Sequence, residues 1–198
     1  MSSRPPIPWR TGLSRGLTEF RQDFAPSRLA GQLLWPVATL AVMYWFRNHD
    51  VAGVLLGSIM FPSVLGMFTI FGAQLMVQYL AADRDDGTLL RARSTPLGIP
   101  AYLIGKVTLC TMTLMTYLAV IAIPGAFIVH GLAPMSLGRA ATLCWVLLLG
   151  MAACQAVGAV LGAVVPSVRA AGYAALLLMG WIAISGVFYP ITALPAWL

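Results

Sequence analysis

Five long apolar runs alternate with short polar segments along the chain. The runs are Leu29–Phe46, Ala52–Leu80, Ala101–Val129, Leu137–Val165 and Gly172–Tyr189. A helix needs about 20 apolar residues to cross a hydrocarbon core of ~30 Å, and each run is close to or above that length. The pattern therefore predicts an all-α membrane protein, a bundle of helices with five visible spans. Only 9% of the residues are charged, which agrees with this class.

The basic residues predict the orientation of the spans. Short loops rich in Lys and Arg stay on the cytoplasmic side of a membrane. Ten of the twelve basic residues fall in the N-terminal tail, around the segment between the second and third runs, or after the fourth run; Arg47 and Arg139 fall on the other side. We therefore expect a cytoplasmic N-terminus and a multi-pass protein of the inner (cytoplasmic) membrane. The net charge of +6 then reflects topology and anionic lipid headgroups rather than nucleic-acid binding.

An amphipathic segment precedes the first run. In residues 14–24, Leu17, Phe20 and Phe24 recur at helical spacing, with polar side chains around the other side. The segment predicts an interfacial helix that lies along the inner headgroup layer and ends at Ala25-Pro26, and the alternative is a disordered tail. The domain division is thus a cytoplasmic tail, 1–28, and a transmembrane domain, 29–198.

Small residues recur every four positions in the fourth run. Gly150, Cys154, Gly158 and Gly162 form a ridge that allows close approach of another helix. The partner helix can belong to the same chain or to a second copy. The three cysteines all lie in apolar runs, where they are interpreted as small buried hydrophobes.

Uncharged polar residues within the spans are the candidates for a transport pathway. They are Gln74, Gln78, Thr108, Thr111 and Gln155. A proton-driven transporter usually carries ionisable residues away from the span ends, and these spans have none there. The threonine hydroxyls can instead bond the carbonyl one turn back, which is the favoured interpretation for them.

The segment 81–106 gathers seven of the eighteen charged residues of the chain between two apolar runs. Asp83, Arg84, Asp85 and Asp86 form a mixed-charge cluster, and Gly87 permits a sharp turn. Thr88 is then positioned to cap a short helix of two or three turns through Leu89, Leu90, Arg91 and Arg93, which Thr95-Pro96 ends. Exposed leucines beside arginines suggest docking to a cytoplasmic partner.

No motif in the chain indicates nucleotide binding or catalysis. Gly105-Lys106 lacks the earlier glycine and the following Ser or Thr of a P-loop, because Pro100 and Val107 occupy those positions. The spans contain no Ser-His, Asp-Asp or HExxH set, and no ligand cluster for a metal. We therefore expect no enzyme activity, and any ATP would have to be bound by another subunit.

The same segment resembles the one after the second helix in permease subunits of type-2 ABC exporters. There, an acidic-basic cluster precedes Gly-Thr-Leu, Thr-Pro and Gly-Lys, which correspond here to Gly87, Thr88, Leu89, Thr95, Pro96, Gly105 and Lys106. The C-terminal run SGVFYPITALPAWL is similar to the end of the family's fifth helix, at Gly186, Phe188, Pro190, Leu194, Pro195 and Trp197. Within that family, the chain looks similar to exporters of the daunorubicin-resistance type. The family usually has Glu where this chain has Asp83.

The resemblance implies the type-2 permease fold and a role for the charged segment. Residues 81–100 would be the loop with the coupling helix, which sits in a cleft of an ATPase subunit; that subunit would bind ATP and Mg, with no cofactor in this chain. The implied ATPase-coupling residues are Asp83, Arg84, Asp85, Asp86, Gly87, Thr88, Leu89, Leu90, Arg91, Arg93, Thr95 and Pro96. It also implies a pair of permeases, identical or related. The family's sixth helix has no counterpart before Leu198, which suggests a shortened form or one completed by another segment.

Two functions follow as hypotheses. The first is the transmembrane subunit of an ATP-driven exporter of drugs, natural products or lipid-like amphipathic molecules. The second is a non-transporting membrane anchor or regulator of a cytoplasmic partner, docking through the same short helix. A neighbouring reading frame for an ABC ATPase favours the first.

Overall fold

The computed structural model describes residues 8–51, 54–128 and 136–184. Within these ranges the chain is almost entirely helical. The helices are α1 (Pro8–Asp23), α2 (Pro26–Phe46), α3 (Leu56–Asp85), α4 (Thr88–Arg93), α5 (Gly98–Ile128), α6 (Leu137–Val164) and α7 (Val168–Ile184). A hairpin of two-residue strands, β1 (Asp50–Val51) and β2 (Val54–Leu55), joins α2 to α3. This architecture confirms the predicted helical membrane class.

Four helices are long and apolar enough to cross a membrane. They are α2, α3, α5 and α6, with 21, 30, 31 and 28 residues. The fifth predicted span begins in α7, which is a shorter apolar helix of 17 described residues. The end of that predicted span, 185–189, and the C-terminal segment that carries part of the family resemblance lie outside the described residues.

Helix α3 forms the centre of the bundle. It packs against α2, α5, α6 and α7, and it contributes more side chains to the main core cluster than any other helix. Phe68 is fully buried there, with its ring at the edge of Phe71 and Tyr117 at centroid distances of 5.3 and 6.1 Å. Leu114 and Ile121 of α5 and Met151 of α6 complete this layer. The bundle is therefore organised around one helix that contacts nearly all the others.

Close contact between α6 and α3 depends on glycine. An added Cβ at Gly158 would collide with the backbone of Ala73, and one at Gly162 would lie 3.3 Å from Cα of Val77. About two turns before Gly158, Gly150 lies against the side chain of Thr69. The ridge that was predicted to contact either this chain or a second copy thus lies against α3 of the same chain, with Cys154 half-buried beside it.

The helices extend beyond the predicted apolar runs at the charged end of the bundle. Helix α3 continues past Leu80 through Asp85, so the first three charged residues belong to its last turn rather than to a loop. Helix α2 begins at Pro26 and α5 at Gly98, with Pro26 and Pro100 in their first turns, where no backbone donor is needed. Hydropathy underestimated the lengths of α2 and α3, because the charged residues at their ends have partners within the chain.

Candidate functional site

The short segment between α3 and α5 reverses the chain through a tight turn. Gly87 adopts a left-handed conformation with φ of 69°, which glycine accommodates without steric cost. Helix α4 then has only six residues, fewer than the predicted two or three turns. The expected Thr88 cap is also wrong, because Gly87 occupies the cap position and offers no side chain. The helix ends as predicted before Thr95, whose hydroxyl donates to the carbonyl of Ala92 at 3.0 Å.

One side of α4 faces outward. Leu90 is 67% exposed, and Arg91, Arg93 and Pro96 are exposed as well. Leu89 is half-buried, while Ala92 is buried against the bundle. An apolar side chain and two guanidinium groups are thus available to a partner, whereas the opposite side fixes α4 to the protein.

Asp83 belongs to a buried ion cluster. Lys106 Nζ lies 2.8 Å from Asp83 Oδ2 and donates a hydrogen bond of 2.7 Å to Glu19 Oε2. The Asp83 contact is an ion pair without hydrogen-bond alignment, because Oδ2 accepts no hydrogen bond from the described residues. Only 6% of the Lys106 side chain is exposed. A buried ammonium is costly unless it is paired, and two carboxylates surround this one.

Aromatic and basic side chains surround this cluster. Arg15 Nε donates to Glu19 Oε1 at 2.8 Å, and its guanidinium lies 5.3 Å from the centroid of the Tyr102 ring. The Lys106 ammonium lies 5.4 Å from the centroid of the Tyr79 ring. Burial alone would raise the pKa of Glu19, but hydrogen bonds from Lys106 and Arg15 outweigh it, so the pKa is lowered. Glu19 therefore stays ionised at neutral pH.

The next two residues of α3 bind the junction between α6 and α7. The Arg84 guanidinium donates to the carbonyls of Gly162, Ala163 and Val165 at the end of α6. A cation suits this position, because the last carbonyls of a helix lack backbone partners and carry partial negative charge. Asp85 Oδ2 accepts from the backbone N–H of Val168 at 3.1 Å, at the positive start of α7. Consecutive residues of α3 thus bind three different helices.

Helix α1 runs alongside the first half of α5. Gly16 lies against Gly105 and Thr108, and one turn earlier Gly12 lies against Ala101 and Ile104. An added Cβ at Gly16 would come within 2.5 Å of the Gly105 carbonyl oxygen, so this approach requires glycine. The position of α1 along the inner headgroup layer stays a prediction. Its packing along α5 was not foreseen, and it follows from the paired glycines and the charges between the two helices.

The predicted apolar face of α1 is divided between the bundle and the exterior. Phe20 and Phe24 stack at a centroid distance of 4.6 Å, and Phe24 lies 6.3 Å from Tyr117. Leu17 is 39% exposed and continues an outward stripe with Trp9 and Leu13. Sequence periodicity located the apolar residues, but it gave no indication that Glu19 and Arg15 face the protein.

The five candidate pathway residues do not share one site. Gln74 and Gln78 line a groove of about 270 Å³ together with Gln32, Tyr117 and aromatic side chains of α2 and α3. The Tyr117 hydroxyl donates to Gln32 Oε1 at 2.6 Å, while Oε1 of Gln74 is buried and accepts no hydrogen bond among the described residues.

The remaining pathway candidates lie between α5 and α6 or bond locally. Gln155 Nε2 donates to the Thr111 hydroxyl at 3.2 Å, which joins the two helices. The Thr108 hydroxyl bonds the carbonyl of Ile104 one turn back, at 2.7 Å. Of these five residues, only Gln74 and Gln78 are among the described residues that line the groove beside Gln32.

Lys106 and Glu19 were missed as site residues in the sequence interpretation. Lys106 was counted among the basic residues that predict the orientation of the spans. Glu19 was one of the polar side chains on the other side of the amphipathic segment. A signal did exist, because a lysine embedded in an apolar run requires a buried partner. The sequence alone did not indicate which of its few acids would supply it.

Comparison with known proteins gives one match. The sequence model of the family described as ABC-2 type transporter matches residues 15–198. A search of curated proteins and a search of solved structures found no match. The matched range includes most of α1 and every later helix, together with the charged segment.

Proposed function

The chain belongs to the ABC-2 type transporter family, and from this membership we propose that it is the permease subunit of an ATP-driven exporter. The family assignment makes it a multi-pass membrane component of a transporter, without catalysis of its own. We further propose that a separate ATPase subunit binds ATP and Mg and docks on α4. The complex would lie in the cytoplasmic membrane, with α4 on the inner side.

The exposed side of α4 is the observation that carries this proposal. Leu90 offers an apolar contact, and Arg91 and Arg93 offer charges that pair with acids on a partner. Apolar contacts at an interface supply affinity, whereas charged pairs orient the partner. Of the residues assigned earlier to ATPase coupling, Asp83, Arg84 and Asp85 bond within the chain. They therefore support a role in transmitting movement from α4 rather than in docking.

The transported molecule is proposed to be an uncharged or amphipathic compound, such as a drug, natural product or lipid. The groove beside Gln74 and Gln78 offers amides and aromatic rings, and its described lining contains no Asp, Glu, Lys, Arg or His. Its volume of about 270 Å³ is below the ~300–1,000 Å³ of most drug-sized pockets. A second permease copy that completes the site is consistent with this size.

A pull-down tests the docking surface. The chain is co-expressed with the ABC ATPase of a neighbouring reading frame, and Leu90→Asp is compared with wild type. We expect a loss of about tenfold in ATPase recovery, because the new charge replaces an apolar contact. Leu137→Asp is the matched control, since this leucine is 89% exposed at the opposite end of the bundle.

Equal recovery of the ATPase with Leu90→Asp and wild type contradicts the assignment of α4 as the docking helix. Stimulation of ATP hydrolysis by candidate solutes separates the two hypotheses from sequence. An anchor or regulator binds the partner without stimulation, whereas a permease of an exporter gives solute-dependent hydrolysis. Reconstituted vesicles then report the direction of movement.

A further inference from the structure

Lys106 joins three helices at the end of the bundle that carries α4. It extends from α5, and its two carboxylate partners come from α1 and from the last turn of α3. Asp83 lies only five residues before the start of α4, and the turn at Gly87 separates the two helices. A displacement of α4 therefore acts directly on the α3 turn that holds Asp83.

The polar contacts to α1 follow the helical repeat. Glu19 and Asp23 lie four residues apart on α1, and Asp83 and Tyr79 lie four residues apart on α3. The Tyr79 hydroxyl donates to Asp23 Oδ2 at 3.1 Å, next to the contact through Lys106. Residues four apart lie on one face of a helix, so Asp23 of α1 meets the donor Tyr79 of α3. Glu19 meets Asp83 through the Lys106 ammonium between them. Lys106 is the member that also ties both to α5.

A buried ion cluster is poorly explained by stability alone. Replacing buried ion pairs with apolar residues of similar size is often neutral or stabilising, whereas the charged pairs fix one geometry. The close contacts at Gly12 and Gly16 already hold α1 against α5. What Lys106 adds is a connection between helices that these glycine contacts do not supply. It joins α1 to the last turn of α3, which leads into α4.

We propose that Lys106 is a positioning residue that makes α1, the end of α3 and α4 move as one unit. The expected effect on transport rests on the proposed function. The joint movement of the three helices concerns this chain alone, and we call it the mechanical part of the proposal. When a partner displaces α4, Asp83 moves with the end of α3, and Lys106 carries the movement to Glu19 and so to α1.

The distance between α1 and α4 tests the mechanical part without any partner. Spin labels are attached at Ser14→Cys and Ser94→Cys, both exposed, in a chain lacking Cys110, Cys144 and Cys154. Labelled chains are diluted with unlabelled ones in nanodiscs, so that distances within one chain dominate. We expect one narrow distance distribution in this background and a clearly broader one with Lys106→Met.

A charge-neutral variant separates positioning from simple charge balance. Lys106→Met alone leaves the half-buried carboxylates of Glu19 and Asp83 together, which can disturb folding by repulsion. The combination Lys106→Met, Glu19→Gln and Asp83→Asn removes that repulsion, and we expect folded protein with the same broad distribution. Arg28→Met is the matched control, because its pair with Asp23 spans 3.6 Å and its side chain is 67% exposed. The control should keep the narrow distribution.

The transport arm uses the full complex. We expect the neutral combination to recover the ATPase as wild type does, while transport per ATP hydrolysed falls about tenfold. A narrow distribution in the neutral combination, or wild-type transport by it, overturns the proposal, since Lys106 then only balances charge. If no ATPase binds even the wild-type chain, the proposed function fails, and the distance measurement still decides the role of Lys106.

Discussion

Arg84 and Asp85 are adjacent in sequence, yet Arg84 binds the end of α6 and Asp85 binds the start of α7. The two contacts have opposite sign and match the partial charges of the two helix ends. Together they hold the junction between α6 and α7 against the last turn of α3. This relationship explains why charges that looked suited to an external partner are already engaged within the chain.

Replacing Arg84 should loosen that junction. Arg84→Ala leaves carbonyls of α6 without a partner, and we expect a loss of about 1–3 kcal/mol in stability. Arg84→Lys should retain part of it, because an ammonium cannot reach several carbonyls as a planar guanidinium does. Thermal unfolding in detergent measures the difference. The exposed Arg93→Ala serves as control, and an equal midpoint for both alanine variants contradicts the assigned role.

The orientation of the chain can be tested by labelling single cysteines. The basic residues predict that Ser14 and Ser94 lie on the cytoplasmic side, and both are exposed. In a chain without native cysteines, a membrane-impermeant maleimide should label either position only after the cells are opened. Reaction at Ser94 in intact cells would place α4 outside and rule out docking to an ATPase.

The contact of α6 with α3 should not tolerate a side chain. Gly158→Leu places its Cβ against the Ala73 backbone, which cannot retreat as a flexible side chain can. We expect a large drop in the yield of folded protein, measured as the monodisperse fraction in detergent. Gly172→Leu in α7 is the matched control, because nothing lies within 4 Å of its added Cβ. Similar yields from the two variants contradict close packing at Gly158.

Acid should release α1 through Glu19. The folded-state pKa of Glu19 is lowered by Lys106 and Arg15, so its stabilising effect is complete above the unfolded pKa and is lost as the pH falls through the lower folded value. A fluorescent probe at Ser14→Cys should be unchanged from neutral pH down to about 4.5 and respond below it. With Glu19→Gln this acid response should be absent. A response that persists in this variant assigns the titration to another group.

Hydropathy was sufficient to predict four helices that are long and apolar enough to cross a membrane, because these apolar runs satisfy a length requirement set by the bilayer. The fifth span and the orientation stay predictions. Gly87, Thr95 and Pro96 likewise marked the turn and the end of α4, since their backbone preferences are local. The partners of Asp83, Arg84 and Asp85 could not be predicted in this way. These partners depend on which helices meet in space. In a single sequence, a charged residue near the end of a span looks the same whether its side chain faces water or another helix.

The alignment of α1 was missed for a related reason. Periodicity around Leu17, Phe20 and Phe24 identifies an apolar stripe, and that stripe suits a headgroup layer as well as a helix bundle. The deciding residues are Gly12 and Gly16, whose missing side chains admit the backbone of α5. Absent side chains contribute nothing to an amphipathic pattern, so the pattern did not reveal this face.

The length of α3 gives it the mechanical character of a lever. Its 30 residues run without interruption from the β1–β2 hairpin to the turn before α4. At 1.5 Å per residue the rod measures about 45 Å, so a tilt of about 5° about a point near its middle shifts each end by about 2 Å. Phe68 is fully buried in the core near the middle of the helix, which makes this the expected pivot. A tilt of α3 as a whole about this point would move its α4 end and its hairpin end in opposite directions.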